Sequence, residues 1–246
     1  MSILKGLKLQ RKFKTIFNNI SYFEDSIIKN YKNDYINLNK KCIFISGMPR
    51  SGTTILAQTL SKHEEFASYV YSDLPFIKIP YFWSKFKKIY YYKNKSLERV
   101  HGDGLKINLD SPDAFEELIW SEEIINYKKN LYKYLDENFK NLNLKHELLR
   151  NINKILIIKK KNMYLSKANY SIFRIKYIQS IIKNSFFLLC IRNPNDVINS
   201  SIKTHEKFEK IHSLNNFFSD EMTELCHFEF GSNRIGIIER SSCKND

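Results

Sequence analysis

The run Lys40-Lys41-Cys42-Ile43-Phe44-Ile45-Ser46-Gly47-Met48-Pro49-Arg50-Ser51-Gly52-Thr53-Thr54-Ile55-Leu56-Ala57 decides how this chain folds. Cys42 to Ile45 is apolar and uncharged, which predicts a strand buried on both faces. Gly47, Pro49 and Gly52 then punctuate the backbone. Thr54, Ile55, Leu56, Ala57 and Leu60 follow with helical spacing. The expected unit is strand, tight loop, helix. Its loop amides and helix N-terminus converge on one spot, and that spot attracts an anion. Small residues there let phosphate oxygens come close to the backbone.

The loop nearly fits the nucleotide-binding pattern GxxxxGK[ST]. Gly47 and Gly52 have the right separation, and Thr54 stands at the final Ser/Thr position. Thr53 stands where the pattern has lysine. That lysine reaches the outer phosphates of a nucleoside triphosphate, and the hydroxyl after it holds magnesium. In this chain the cation comes earlier, at Arg50. A P-loop kinase or NTPase is disfavoured on this ground and stays as the alternative reading. A nucleotide gripped by one 5′-phosphate, with no metal, fits better.

At Pro49-Arg50-Ser51-Gly52-Thr53-Thr54 the sequence resembles the PAPS-dependent sulfotransferases, whose phosphosulfate loop reads P-[KR]-S-G-T-[TS]. A second hallmark lies far downstream, in Phe186-Phe187-Leu188-Leu189-Cys190-Ile191-Arg192-Asn193-Pro194-Asn195-Asp196-Val197-Ile198-Asn199-Ser200. It is another apolar run, read as a buried strand, then R-N-P-x-D, then a helix. In the family an Arg and a Ser eight positions on clamp the nucleotide's 3′-phosphate, and Arg192 and Ser200 match that spacing. Both motifs occur in the family's order, and the resemblance covers roughly Lys41 to Glu209. It implies a three-layer α/β/α fold with a central parallel sheet of the P-loop nucleotide-kinase type. It implies PAPS as sulfate donor, its 5′-phosphate held by Arg50, Ser51, Gly52, Thr53 and Thr54 and its 3′-phosphate by Arg192 and Ser200. Sulfuryl transfer to a hydroxyl needs a base. The family uses a His or Glu between its two phosphate motifs, so His101, Glu116 and Glu117 are the candidates. A Glu after a Ser-Pro helix start recurs in bacterial members and favours the two carboxylates. Lys167 ends a predicted strand, as a comparable lysine does in related bacterial enzymes. Such a position meets the sulfate or the acceptor, or is an ordinary strand-end lysine. The acceptor is expected, by analogy, to be a carbohydrate or surface polysaccharide.

The 246 residues suit one domain with a real core. Composition is globular, at 43% hydrophobic, 14% aromatic and 27% charged. The net charge of +14 suits anionic ligands, although abundant Lys, Asn, Ile and Tyr also match an AT-rich gene. Nucleic-acid binding is disfavoured because the basic residues are dispersed. Residues 1–39 read as a helical extension before the domain at 40–246. Ile3, Leu4, Leu7, Phe13, Ile16, Phe17 and Ile20 recur at helical intervals among lysines. That pattern fits packing on the domain, or peripheral contact with a membrane. No transmembrane stretch or secretory signal is evident, which points to the cytoplasm. Cys42 and Cys190 fall inside predicted strands, and Cys226 and Cys243 lack metal-ligand spacing. Neither a disulfide nor a metal site is expected.

Glu65 to Tyr71 reads as a second strand. Phe76 to Tyr92, rich in Phe, Tyr and Trp, reads as packing or as a lid beside the cofactor. Ser111 is a good N-cap and Pro112 suits a first turn, so a helix is expected from near Ser111 past Trp120. Tyr127 to Lys161 reads as one or two helices, Met163 to Asn169 as a strand, and Ile172 to Ile182 as an amphipathic helix. The chain stops sooner after Ser200 than the family does. A compact enzyme or a truncated, inactive sulfotransferase-like binding protein are both open on that feature.

Overall fold

The computed structural model describes residues 3–29, 40–91 and 95–236. Two helices, α1 (Ile3–Lys12) and α2 (Lys14–Lys29), precede β1 (Lys41–Gly47). The quoted run forms β1, a tight turn and α3 (Thr53–Leu60). Then come β2 (Phe66–Ala67), α4 (Pro80–Tyr90), and a small hairpin of β3 (Leu97–Glu98) and β4 (Lys106–Ile107). They are followed by α5 (Glu117–Glu123), α6 (Leu142–Lys159), β5 (Met163–Lys167) and α7 (Ile175–Ile181). The described chain closes with β6 (Ser185–Cys190), α8 (Pro194–Leu214) and α9 (Asn216–Glu224).

The four main strands form a parallel sheet in the order β2-β5-β1-β6. β1 is central because its apolar run has to be covered on both faces. Ile45 packs with Leu165 and with Ala57 of α3 on one face. Phe44 and Tyr164 face the larger core with Leu148, Ile152 and Ile155 of α6 on the other. This is the three-layer α/β arrangement. Ile45 lies level with Lys167 on β5 and Leu188 on β6, so three carboxyl ends open side by side. Ligands of open parallel sheets bind at such ends.

The N-terminal helices pack on the same body. Lys154 of α6 is fully buried, and its Nζ donates to the Ser21 carbonyl (3.0 Å), Ser21 Oγ (2.8 Å) and Glu24 (3.0 Å) of α2. Glu24 in turn accepts from the Phe82 amide of α4 at 2.7 Å. Residues 30–39 of the expected extension lie outside the described residues.

Several local expectations change. The second strand is only two residues long. The expected helix start at Ser111 is replaced by extended chain. Pro112 bridges Val70, the Tyr71 amide donates to the Ser111 carbonyl (3.2 Å), and α5 begins at Glu117. Cross-strand bonding to residues distant in sequence outweighs a good local cap. The aromatic stretch forms α4 against α6, with Trp83 buried and its Nε1 bonded to the Ser72 carbonyl at 3.0 Å. It is scaffold where described, while Tyr92 lies outside the described residues. β6 is not buried on both faces. It pairs on one side only, with β1, and Phe186, Leu188 and Leu189 are exposed.

Candidate active site

The turn after β1 has little room. A Cβ on Gly47 would lie 2.6 Å from the Cys190 carbonyl oxygen and 2.7 Å from Ser51 Oγ. Only glycine lets β1 and β6 close together at this level. Gly52, at φ +99°, supplies the left-handed residue that starts α3. Ser51 Oγ is buried and has no hydrogen-bond partner among the described residues. A buried hydroxyl without a partner is costly, and a ligand oxygen relieves it.

Arg50 is the junction. Its Nε donates to Ser200 Oγ of α8 at 2.9 Å, and its guanidinium pairs with Asp103 at 2.7 Å. Arg192, in the segment after β6, donates to the Arg50 carbonyl at 3.3 Å. Sequence positions 50, 192 and 200 therefore meet in one place. Together with residues 51–55, Arg99 and residues 103–105 they line a cleft of about 600 Å³. Arg99 enters from the β3–β4 hairpin, donating to Thr54 Oγ1 (3.2 Å) and to both Asp103 oxygens. Burial alone would raise the Asp103 carboxyl. Hydrogen bonds and charge from Arg99 and Arg50 outweigh it and hold that carboxyl well below the usual range.

The base candidates stand elsewhere. Glu116 is buried beside β5, accepting from Ser166 Oγ (2.6 Å) and Tyr164 OH (2.7 Å). Burial wins over those bonds and pushes its carboxyl up to about 7. Glu117 is fully buried against Arg174 (2.9 Å), which stacks on Trp120 at 4.2 Å, and it also accepts from the Tyr127 hydroxyl. His101 packs edge-on to Phe208 at 5.0 Å, and burial, then Arg99 and Arg50, push it down to about 3. None of the three lines the cleft. Lys167 stands at the end of β5, paired with Asp113 at 2.9 Å. Burial would raise Asp113, but Lys167 and then His227 hold it low.

Sequence reasoning missed Arg99, Asp103 and Asn169. The first two sit in a loop with no period, so only the fold brings them to the turn. Asn169 had a usable signal, two residues past Lys167 at a strand's carboxyl end. It accepts from Thr53 Oγ1 at 3.2 Å and donates to Glu229 at 3.2 Å. Among the described residues no group of three His, Cys, Asp or Glu is arranged to hold a metal ion, and no helix is long and apolar enough to cross a membrane.

The model of the sulfotransferase family matches residues 42–229, well over half of the chain. The chain belongs to the sulfotransferase family. Among solved structures it is similar to a sulfotransferase from Mycobacterium tuberculosis, at 11% identity and a TM-score of 0.44, over 81% of this chain. The matched part spans 61% of that protein's length. No curated protein sequence matches.

Proposed function

We propose that the chain moves a sulfuryl group from PAPS to a hydroxyl or amine acceptor, in the cytoplasm and without a metal ion. One observation carries this reading. Two donor-rich cradles, one after β1 and one after β6, meet through the Arg50–Ser200 and Arg192–Arg50 contacts. A nucleotide phosphorylated at both the 5′ and 3′ positions offers an anion to each. The unpartnered Ser51 Oγ fits a phosphate oxygen. Free Cys42, Cys190 and Cys226 suit a reducing compartment.

In this reading the amides of Ser51, Gly52, Thr53 and Thr54 hold the 5′-phosphate at the start of α3. Arg192 and Ser200 hold the 3′-phosphate. PAPS supplies the sulfuryl group and departs as 3′,5′-ADP. Arg50 offsets charge gathering at the leaving phosphate, and Lys167, level with Ile45 in the sheet, adds to that field. A base must sit within hydrogen-bond reach of the acceptor hydroxyl. Burial pushes the Glu116 carboxyl up to about 7, in the range a base needs, but it stands off the cleft wall.

Calorimetry tests the reading. Arg50→Ala and Arg192→Ala should each weaken 3′,5′-ADP binding about tenfold or more, the loss expected for a charge-assisted contact. Unchanged affinity in both overturns the site. A larger thermal shift from ATP with magnesium than from 3′,5′-ADP would support a kinase instead.

A further inference from the structure

The aromatic stretch is scaffold on one side only. α4 turns Trp83 inward, while Phe86 and Ile89 on its outer side are 60% and 81% exposed. α2 runs beside it, and their contacts stay in step. Phe17 stacks on Phe76 (5.4 Å), Ser21 Oγ donates to the Lys78 carbonyl (2.8 Å), the Phe82 amide donates to Glu24 (2.7 Å), and Phe23 stacks on Phe82 (6.1 Å). On α2, Ile16, Ile20, Phe23 and Ile27 recur at helical intervals, which keeps them on one line of the helix. Ile16 and Phe23 on that line are exposed. On α4, Phe82, Phe86 and Ile89 form a second line. The Phe23–Phe82 stack joins the two. An open trough carries the surface on to α1, with Ile3 on one side and Phe86, Ile89 and Tyr90 on the other. Of the N-terminal stripe read from the sequence, Leu4 and Leu7 are buried on the domain, while Phe13 and Ile16 stay outside.

Charge on this surface is one-sided. The described residues of α1, α2 and α4 include two carboxylates, Glu24 and Asp25, and both are buried in ion pairs with Lys154 and Arg150. Lys12, Lys85 and Lys88 are exposed beside the apolar lines. Lys12 Nζ lies over the Phe13 ring at 5.7 Å, and Lys85 Nζ over the Tyr81 ring at 5.1 Å. Exposed apolar side chains edged by lysines, with no outward carboxylate on the same helices, fit the surface of an anionic bilayer. Tyr and Trp, which gather on α4, are the side chains that sit best at headgroup level. A second copy of the chain fits worse, because a two-fold contact would set lysines near lysines with no acid to meet them. We propose that the α2–α4 face docks on anionic membrane, with Phe23, Phe86 and Ile89 entering the headgroup boundary and Lys12, Lys85 and Lys88 held at the lipid headgroups. This face needs no nucleotide, so docking is independent of the sulfotransferase reading.

Co-sedimentation of the full chain with vesicles tests this. One set is phosphatidylcholine alone, and the other is an equal mixture of phosphatidylcholine and phosphatidylserine. The chain should bind the anionic set about tenfold better or more, and high salt should remove the difference. Phe86→Ser with Ile89→Ser should weaken anionic binding about tenfold or more, because both side chains lose burial in the bilayer. Lys85→Gln with Lys88→Gln should weaken it about fivefold for each charge lost. Lys203→Gln with Lys210→Gln removes two exposed charges from α8 instead, and should cost less than about twofold. All these side chains are exposed, and an unchanged calorimetric Tm shows that each variant is folded. Equal binding to the two vesicle sets, binding to neither, or full binding by the serine or the α4 glutamine variant overturns the proposal. An equal loss from the α8 pair also overturns it, since bulk charge would then suffice. Sedimentation equilibrium of the parent should give a monomer. A dimer that Phe86→Ser with Ile89→Ser dissolves would assign the face to a second copy and overturn membrane docking.

Discussion

Replacing Asp103 by Asn should tighten nucleotide binding, although Asp103 is part of the cleft. Its carboxylate sits 2.7 Å from the Arg50 guanidinium and bonds Arg99 through both oxygens. It occupies the cations that a phosphate needs. At an effective dielectric near 20, unit charges about 4 Å apart interact by about 4 kcal/mol. The Asp103 side chain keeps 19% of its surface in solvent, and pairs of that kind return about 1 kcal/mol or less in measured cycles. Two arginines share the carboxylate, so a gain of about 1.4 kcal/mol, or tenfold in Kd, is expected. Whether a bound phosphate displaces Asp103 or lies beside it, removing the negative charge favours the complex. Titration calorimetry with 3′,5′-ADP at low and high salt measures this, and the gain should shrink as salt screens the pair. A weaker Asp103→Asn complex would overturn this expectation, and would mean that Asp103 aims Arg50 and Arg99 rather than competing for them.

Acid and base stability should be set by opposite limbs. His101 is pushed down to about 3 from 6.5, so its contribution is present above 6.5 and is lost as pH falls through 3. Glu116 is pushed up to about 7 from 4.5, so its contribution is present below 4.5 and is lost as pH rises through 7. Urea midpoints across pH should show His101→Phe flattening the acid limb by about 5 kcal/mol at the most, and Glu116→Gln flattening the loss at rising pH by about 3 kcal/mol at the most. Arg174→Met should destabilise by about 3–5 kcal/mol, because Glu117 would keep a buried, uncompensated charge. Adding Glu117→Gln should recover part of the loss in calorimetric Tm. The double variant, compared while folded, should bind 3′,5′-ADP as the parent does if that pair is scaffold.

The central unit and its partner were legible in the amino-acid order alone. An uncharged run followed by Gly47, Arg50 and Gly52 leaves few conformations other than strand, turn and helix, because hydrophobic burial and positive φ are both local demands. The same holds for β6 as a strand and for the helix after Pro194, where Asn193 caps the Asn195 amide at 2.9 Å. The tertiary structure decided the rest. Ser111 and Pro112 have the chemistry of a helix start, yet pairing with Val70 and Tyr71 claims them. Glu116 and Glu117 sit side by side in sequence, but one meets two hydroxyls and the other a guanidinium. β6 looks like a core strand and stands at a sheet edge. Arg99, Asp103, Asn169 and Glu229 reach the turn from three distant segments. Local pattern records what a residue prefers, whereas charge, pKa and access to a ligand depend on neighbours that only the folded chain supplies.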